Sequence, residues 1–175
     1  MSTLVFACEY QNLPMVEIVR PANNLIAKGS HDDRCRVLCA HPHMLSNIAV
    51  FDWYCTIFAL TNRDIETYIN HIWNPAITNI TNIGVLGRMN EMHINIEPNI
   101  AKTIFISACE CDYSEVARWV YRHYEPQLNS EEISIIFMAA LNHDDLDLLT
   151  WICMIFGKKQ GIPTRKFFAQ CGIKY

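Results

Sequence analysis

One ungapped pattern occurs twice, 32 residues apart, and it limits what this chain can fold into more than any other feature. Ala108-Cys109-Glu110-Cys111-Asp112-Tyr113-Ser114-Glu115-Val116-Ala117-Arg118-Trp119-Val120 lies over Ala140-Leu141-Asn142-His143-Asp144-Asp145-Leu146-Asp147-Leu148-Leu149-Thr150-Trp151-Ile152. Each alanine follows a phenylalanine by three residues (Phe105, Phe137) and precedes an acid by seven (Glu115, Asp147) and a tryptophan by eleven (Trp119, Trp151). Self-similarity at such a period marks a helical repeat array, in which each unit leaves an apolar face that only a neighbour can bury.

The residue types fit a pair of short helices. Phe105 with Ala108, and Phe137 with Ala140, are spaced i, i+3 and share one helix face. A polar break at 111–114 or 142–145 interrupts the pattern. A second helix then carries Val116, Trp119 and Val120, or Leu148, Trp151 and Ile152, with acids in its first turn at the positive end of the helix dipole. Both tryptophans are expected in the core of adjacent units.

The run Ala-Cys-x-x-x-x-x-Glu-Val-Ala-Arg-Trp-Val is similar to the inner and outer helices of ankyrin repeats. With its tryptophan near the end of the second helix, it looks most like the divergent ankyrin arrays encoded by large DNA viruses and some protists. The chain departs from that family in lacking the Thr-Pro-Leu-His turn, and in placing Asp112 and Asp144 where the family usually has glycine. The resemblance implies an all-α, irregular ankyrin-like stack of about four to five helix pairs. It also implies a cytoplasmic protein–protein interaction module, of host cytoplasm or virion if viral and then directed at a host protein.

The same frame recurs elsewhere. Ala7-Cys8-Glu9 stands where Ala108-Cys109-Glu110 does, and Pro14 falls in the first turn of a second helix, where its missing N–H costs nothing. A weaker copy begins at Ala59, with Ile65 and Glu66 at the expected offsets. The repeats are thus placed at about 4–20, 56–72, 105–124 and 137–156. Between them, Arg34–Leu45 and Ile77–Ile96 are candidates for extra helices, within or beside an irregular insert at 74–99. In that insert Ile77, Ile80 and Ile83 are spaced for a helix, whereas Ile94 and Ile96 alternate like a strand. Gly157 followed by Lys158 and Lys159 reads as a helix stop, and residues 162–175 as a terminal cap.

Charge narrows the partner. The chain of 175 residues carries 14 basic and 18 acidic side chains, a net charge of −4, which argues against nucleic acid. Lys158, Lys159, Arg165, Lys166 and Lys174 fall in 157–175 with no acid, leaving nine cations against 18 acids before them. Apolar content is 51%, yet no run approaches the roughly 20 apolar residues of a membrane span, and no secretory signal is evident. Eight cysteines then read as reduced, buried thiols.

No local motif groups a nucleophile with its base, and no glycine-rich phosphate loop occurs, so the chain is read as non-catalytic and without cofactor. Cys35, Cys39, His41 and His43 gather four possible zinc ligands into nine residues, a spacing unlike the common zinc modules. They keep a small zinc protein as one alternative. A structural component of a large assembly, such as a minor virion protein, is the other. In ankyrin-like arrays the first helices and turns line the binding surface. The resemblance therefore nominates Glu9, Glu110 and Asn142 on first helices, with Tyr10, Asn12, Tyr113, His143 and Asp145 in turns. Lys158, Lys159, Arg165 and Lys166 are nominated as contacts to a second, acidic surface or a neighbouring copy.

Overall fold

The computed structural model describes residues 30–31, 44–45, 47–72 and 82–159. The repeat at 4–20, the cap at 162–175 and the Cys35–His43 quartet lie outside the described residues. The fold is all-α: among the described residues there are seven α-helices and no strand. The helices are α1 (Ile48–Ile57), α2 (Asn62–Thr67), α3 (Ile83–Glu91), α4 (Pro98–Glu110), α5 (Ser114–Tyr124), α6 (Ser130–Asn142) and α7 (Leu146–Lys159). They fall into two compact units, Met1–Ile104 and Phe105–Tyr175, with the division inside α4.

In the first unit α1 packs against α3, which starts beside it at an Asn82 cap whose Oδ1 accepts the Gly84 N–H at 2.8 Å. Glycine suits that position because a Cβ at residue 84 would sit 2.9 Å from that oxygen and 3.3 Å from Ile48 Cδ1, so the capping side chain would have to shift. Phe51, Tyr54 and Phe58 are fully buried, and Tyr54 and Phe58 meet with ring centres 5.3 Å apart. Helix α2 opens on a capping box in which Thr61 and Asp64 serve each other's backbone N–H groups. It passes into a π-helical turn at Tyr68–Ile72.

That π-helical turn fixes the strand-like isoleucines. Asn70 donates its Nδ2–H to the Asn95 carbonyl at 2.8 Å and accepts the Glu97 N–H on its Oδ1 at 3.0 Å, while Glu66 accepts the Asn95 N–H at 2.9 Å. Ile94 and Ile96 are buried, and Asn95 and Glu97 are exposed. Side chains thus replace the ladder a strand would need, and the alternation in sequence reflects alternating burial without a sheet.

Helices α4 and α6 have the same bounds 32 residues apart, as do the starts of α5 and α7. Burial repeats with them: Phe105 and Phe137, Ala108 and Ala140, Val116 and Leu148, Ala117 and Leu149, and Val120 and Ile152 are all buried. The turns repeat as well. Tyr113 N–H reaches the Ala108 carbonyl at 2.8 Å and Asp145 N–H the Ala140 carbonyl at 3.2 Å, the six-to-one bond of a Schellman helix end.

Three expectations are corrected. Ala59, which the repeat frame aligns with Ala108, is instead the left-handed residue of a turn (φ 47°), with Leu60 N–H bonded to the Cys55 carbonyl. Its counterparts are therefore Asp112 and Asp144, and the frame laid on Ala59 is displaced by four residues, because the apolar pattern of α1 tolerates either register. Gly157 does not stop α7, which continues to Lys159. One glycine costs a helix only about 1 kcal/mol, and lysines in the last turn suit its negative end.

The tryptophans are half-buried, not core. Trp119 stacks on His123 of its own helix, with centres 3.9 Å apart. Trp151 instead packs across helices, 6.2 Å from Phe105 and 5.6 Å from Tyr121, under the Arg118 guanidinium at 5.3 Å. The deep positions are Val116, Ala117 and Val120 on α5 and Leu148, Leu149, Ile152 and Cys153 on α7.

Candidate functional site

Helix α6 has two faces of opposite use. Ile133, Ile136, Phe137 and Ala140 are buried at the spacing of one helical stripe. The other stripe, Glu131, Ser134, Ile135, Met138 and Ala139, turns outward and lines an open groove of about 500 Å³. Ile135 is 41% and Met138 54% exposed, so the groove presents large apolar side chains to its surroundings. Glu110, Asn142 and His143 complete the lining at the C-terminal end of α6.

Local chemistry fixes that end. His143 Nε2 lies 2.8 Å from the Glu110 carbonyl, and since a carbonyl can only accept, Nε2 carries the proton. The bond uses an orphan carbonyl at the end of α4 and ties it to the turn between α6 and α7. At the opposite end Asn129 and Glu132 form a capping box that starts α6 and sets the first turn from which Glu131 projects. The carboxylates of Glu110 and Glu131 are both exposed, and no lysine or arginine lines the groove. Such a surface favours cations and apolar groups together.

Of the residues nominated from sequence, Glu110, Asn142 and His143 are brought together in this groove. Tyr113 is exposed in the preceding turn. Asp145 accepts the Leu148 N–H at 2.9 Å, so one of its carboxylate oxygens caps α7. Lys158 and Lys159 stand in the last turn of α7. Glu9, Tyr10, Asn12, Arg165 and Lys166 lie outside the described residues, as do the possible zinc ligands Cys35, Cys39, His41 and His43. Among the described residues no three His, Cys, Asp or Glu side chains group as metal ligands would.

Sequence reasoning missed Glu131, Ser134, Ile135 and Met138. Residues 133–141 are apolar except for Ser134, so periodicity alone does not say which stripe faces out. The polar pair Glu131 and Ser134, spaced i, i+3, was the available signal. It also missed Asp64, whose carboxylate is fully buried, bonds Thr61 N–H at 2.7 Å and pairs with His31 Nδ1. Thr61-x-x-Asp64 is a legible capping box.

The Cys109 and Cys55 thiols stay protonated at neutral pH. Burial, with Glu110 nearby, pushes the Cys109 thiol up to about 12, and burial with Asp52 does the same for Cys55. A neutral thiol is neither nucleophile nor metal ligand.

No helix among the described residues is long and apolar enough to cross a membrane. Comparison with protein-family models, curated proteins and solved structures gives no match.

Proposed function

We propose that the protein is a non-catalytic protein–protein interaction module, a divergent ankyrin-like helical array. Its groove along α6 takes an apolar segment of a partner protein flanked by lysine or arginine. The observation that carries this reading is convergence: Glu110, Asn142 and His143, chosen from matched steps of the sequence pattern, line one groove with the exposed Ile135 and Met138. Apolar side chains supply affinity, and the two carboxylates supply orientation and steering. The matched bounds of the two helix pairs support the array.

Fluorescence anisotropy with labelled peptides tests the reading. Peptides combining aromatic or aliphatic residues with flanking cations are expected to bind, more weakly as salt rises, and acidic peptides of the same apolar content are not. Glu110→Gln with Glu131→Gln is expected to weaken binding roughly tenfold, about 1.4 kcal/mol. Equal binding of basic and acidic peptides, or none of either, would sink it.

A second reading rests on a different observation. Leu146 is 68% and Met154 51% exposed on α7, away from the groove lining, and exposed apolar residues of this size suit a component covered by neighbours in an assembly.

A further inference from the structure

The groove's chemistry can be compared with every stretch of the chain itself. Its requirements are apolar side chains for Ile135 and Met138, cations for Glu110 and Glu131, and no acid. Beyond α7, residues 160–175 meet all three: three cations (Arg165, Lys166 and Lys174), no acid, and Ile162, Phe167 and Phe168 near Arg165 and Lys166 in sequence. Elsewhere eleven cations are spread among 18 acids, and no acid-free stretch of that length within residues 1–159 carries as many cations. A folded body bearing acids and a short stretch bearing cations attract each other between molecules as well as within one.

We propose that this groove binds the 160–175 segment of a second copy of the chain, with Arg165 and Lys166 paired to Glu110 and Glu131 and the adjacent phenylalanines over Ile135 and Met138. The inference rests on the proposed function, since it names one partner of the kind that groove is read to take. Groove and segment are different surfaces, so the contact is heterologous and propagates head to tail instead of closing as an isologous pair. A groove of about 500 Å³ is small, so each contact is weak and the assembly depends on concentration. Because charged groups at an open groove are screened over about 8 Å at physiological salt, association is also salt-dependent.

Sedimentation velocity on the full chain tests this across a wide concentration range at low and high salt. The wild type is expected to form dimers and longer species that dissociate with salt. Glu110→Lys with Glu131→Lys, and separately Arg165→Glu with Lys166→Glu, are each expected to weaken association roughly tenfold. Mixing these two variants restores a pair, because the reversed groove meets the reversed segment. A labelled peptide of residues 157–175 is measured in parallel on the full wild-type chain and is expected to bind at the groove, so the test survives a variant that fails to fold.

A chain that stays monomeric at every concentration, or associates equally with and without the groove reversal, overturns the proposal. If unrelated basic, apolar peptides bind the groove while the 157–175 peptide and the second copy do not, this inference fails and the interaction-module reading stands. If no basic peptide binds, both fail.

Discussion

Asp112 and Asp144 occupy the same left-handed conformation, with φ of 62° and 55°, at the same step of two helix ends 32 residues apart. A side chain in that region costs about 1–2 kcal/mol, less for aspartate, whose short polar group bonds locally. Glycine has no such penalty but loses more backbone freedom on folding. The net expectation is that Asp112→Gly and Asp144→Gly each stabilise the protein by about 0.5 kcal/mol. Val at either site should destabilise it by about 1–2 kcal/mol, since a β-branched side chain fits the left-handed region worst. Urea unfolding measures both; a glycine variant less stable than wild type would show that the aspartate carboxylates do more than tolerate the turn.

The tryptophans separate two roles that share one sequence position. Trp151 meets Phe105 and Tyr121, which also meet Phe156, in a cluster drawn from three helices, whereas Trp119 lies on His123 within its own. Trp151→Ala is therefore expected to cost about 3 kcal/mol and Trp119→Ala about 1 kcal/mol. Arg118→Gln should remove about 0.5–1 kcal/mol of the cation's interaction with the Trp151 ring. Equal costs for the two tryptophans would contradict the packing described.

What the sequence reveals follows from which forces are local. The turns between paired helices of the second unit are legible because turn chemistry, first-turn acids and apolar spacing all act within a dozen residues, as at Asp144-Asp145 and Asp147, whereas the helix starts at Pro98 and Ser130, seven residues before the repeats expected at 105 and 137, are not. Thr61-x-x-Asp64 is legible for the same reason. The groove is only half legible. Glu110 and Asn142 are reachable as first-helix residues beside the turns and His143 as a turn residue, while Ile135 and Met138 belong to a helix apolar on nearly every side, where tertiary packing decides which stripe is covered. The Asn70 clamp on residues 95 and 97 is invisible locally, since its partners lie 25 and 27 residues away. The register at Ala59 failed because alanine suits both a helix face and, at some cost, the left-handed turn position.

The clamp makes its own prediction. Asn70 both donates to and accepts from the backbone of one short segment, so Asn70→Ala leaves two groups to find water. The cost is expected to be about 1–3 kcal/mol. Asn70→Asp keeps the acceptor for Glu97 N–H but sets an anion against the Asn95 carbonyl, and should be no better than alanine. Hydrogen exchange reads the effect directly: Glu97 N–H should lose protection in Asn70→Ala but retain it in Asn70→Asp. Unchanged protection in both would mean that the segment is held by Ile94 and Ile96 alone.

The buried Cys109 thiol makes stability fall at alkaline pH. The Cys109 thiol is pushed from 9.0 up to about 12 by burial and by Glu110. Below pH 9 the thiol is protonated whether the chain is folded or not, and it contributes nothing to pH dependence. Above that value the unfolded chain releases the proton while the folded chain keeps it, so the folded state binds more protons and stability falls as pH rises, until ionisation in the folded state near pH 12. Cys109→Ala removes this linkage, leaving that of Cys55 and of Tyr124, whose hydroxyl burial also raises, common to both proteins. Urea unfolding of wild type and variant at about pH 8 and about pH 10 should therefore show a larger loss of stability with pH in the wild type. Equal losses would mean that Cys109 ionises in the folded protein as readily as in the unfolded chain.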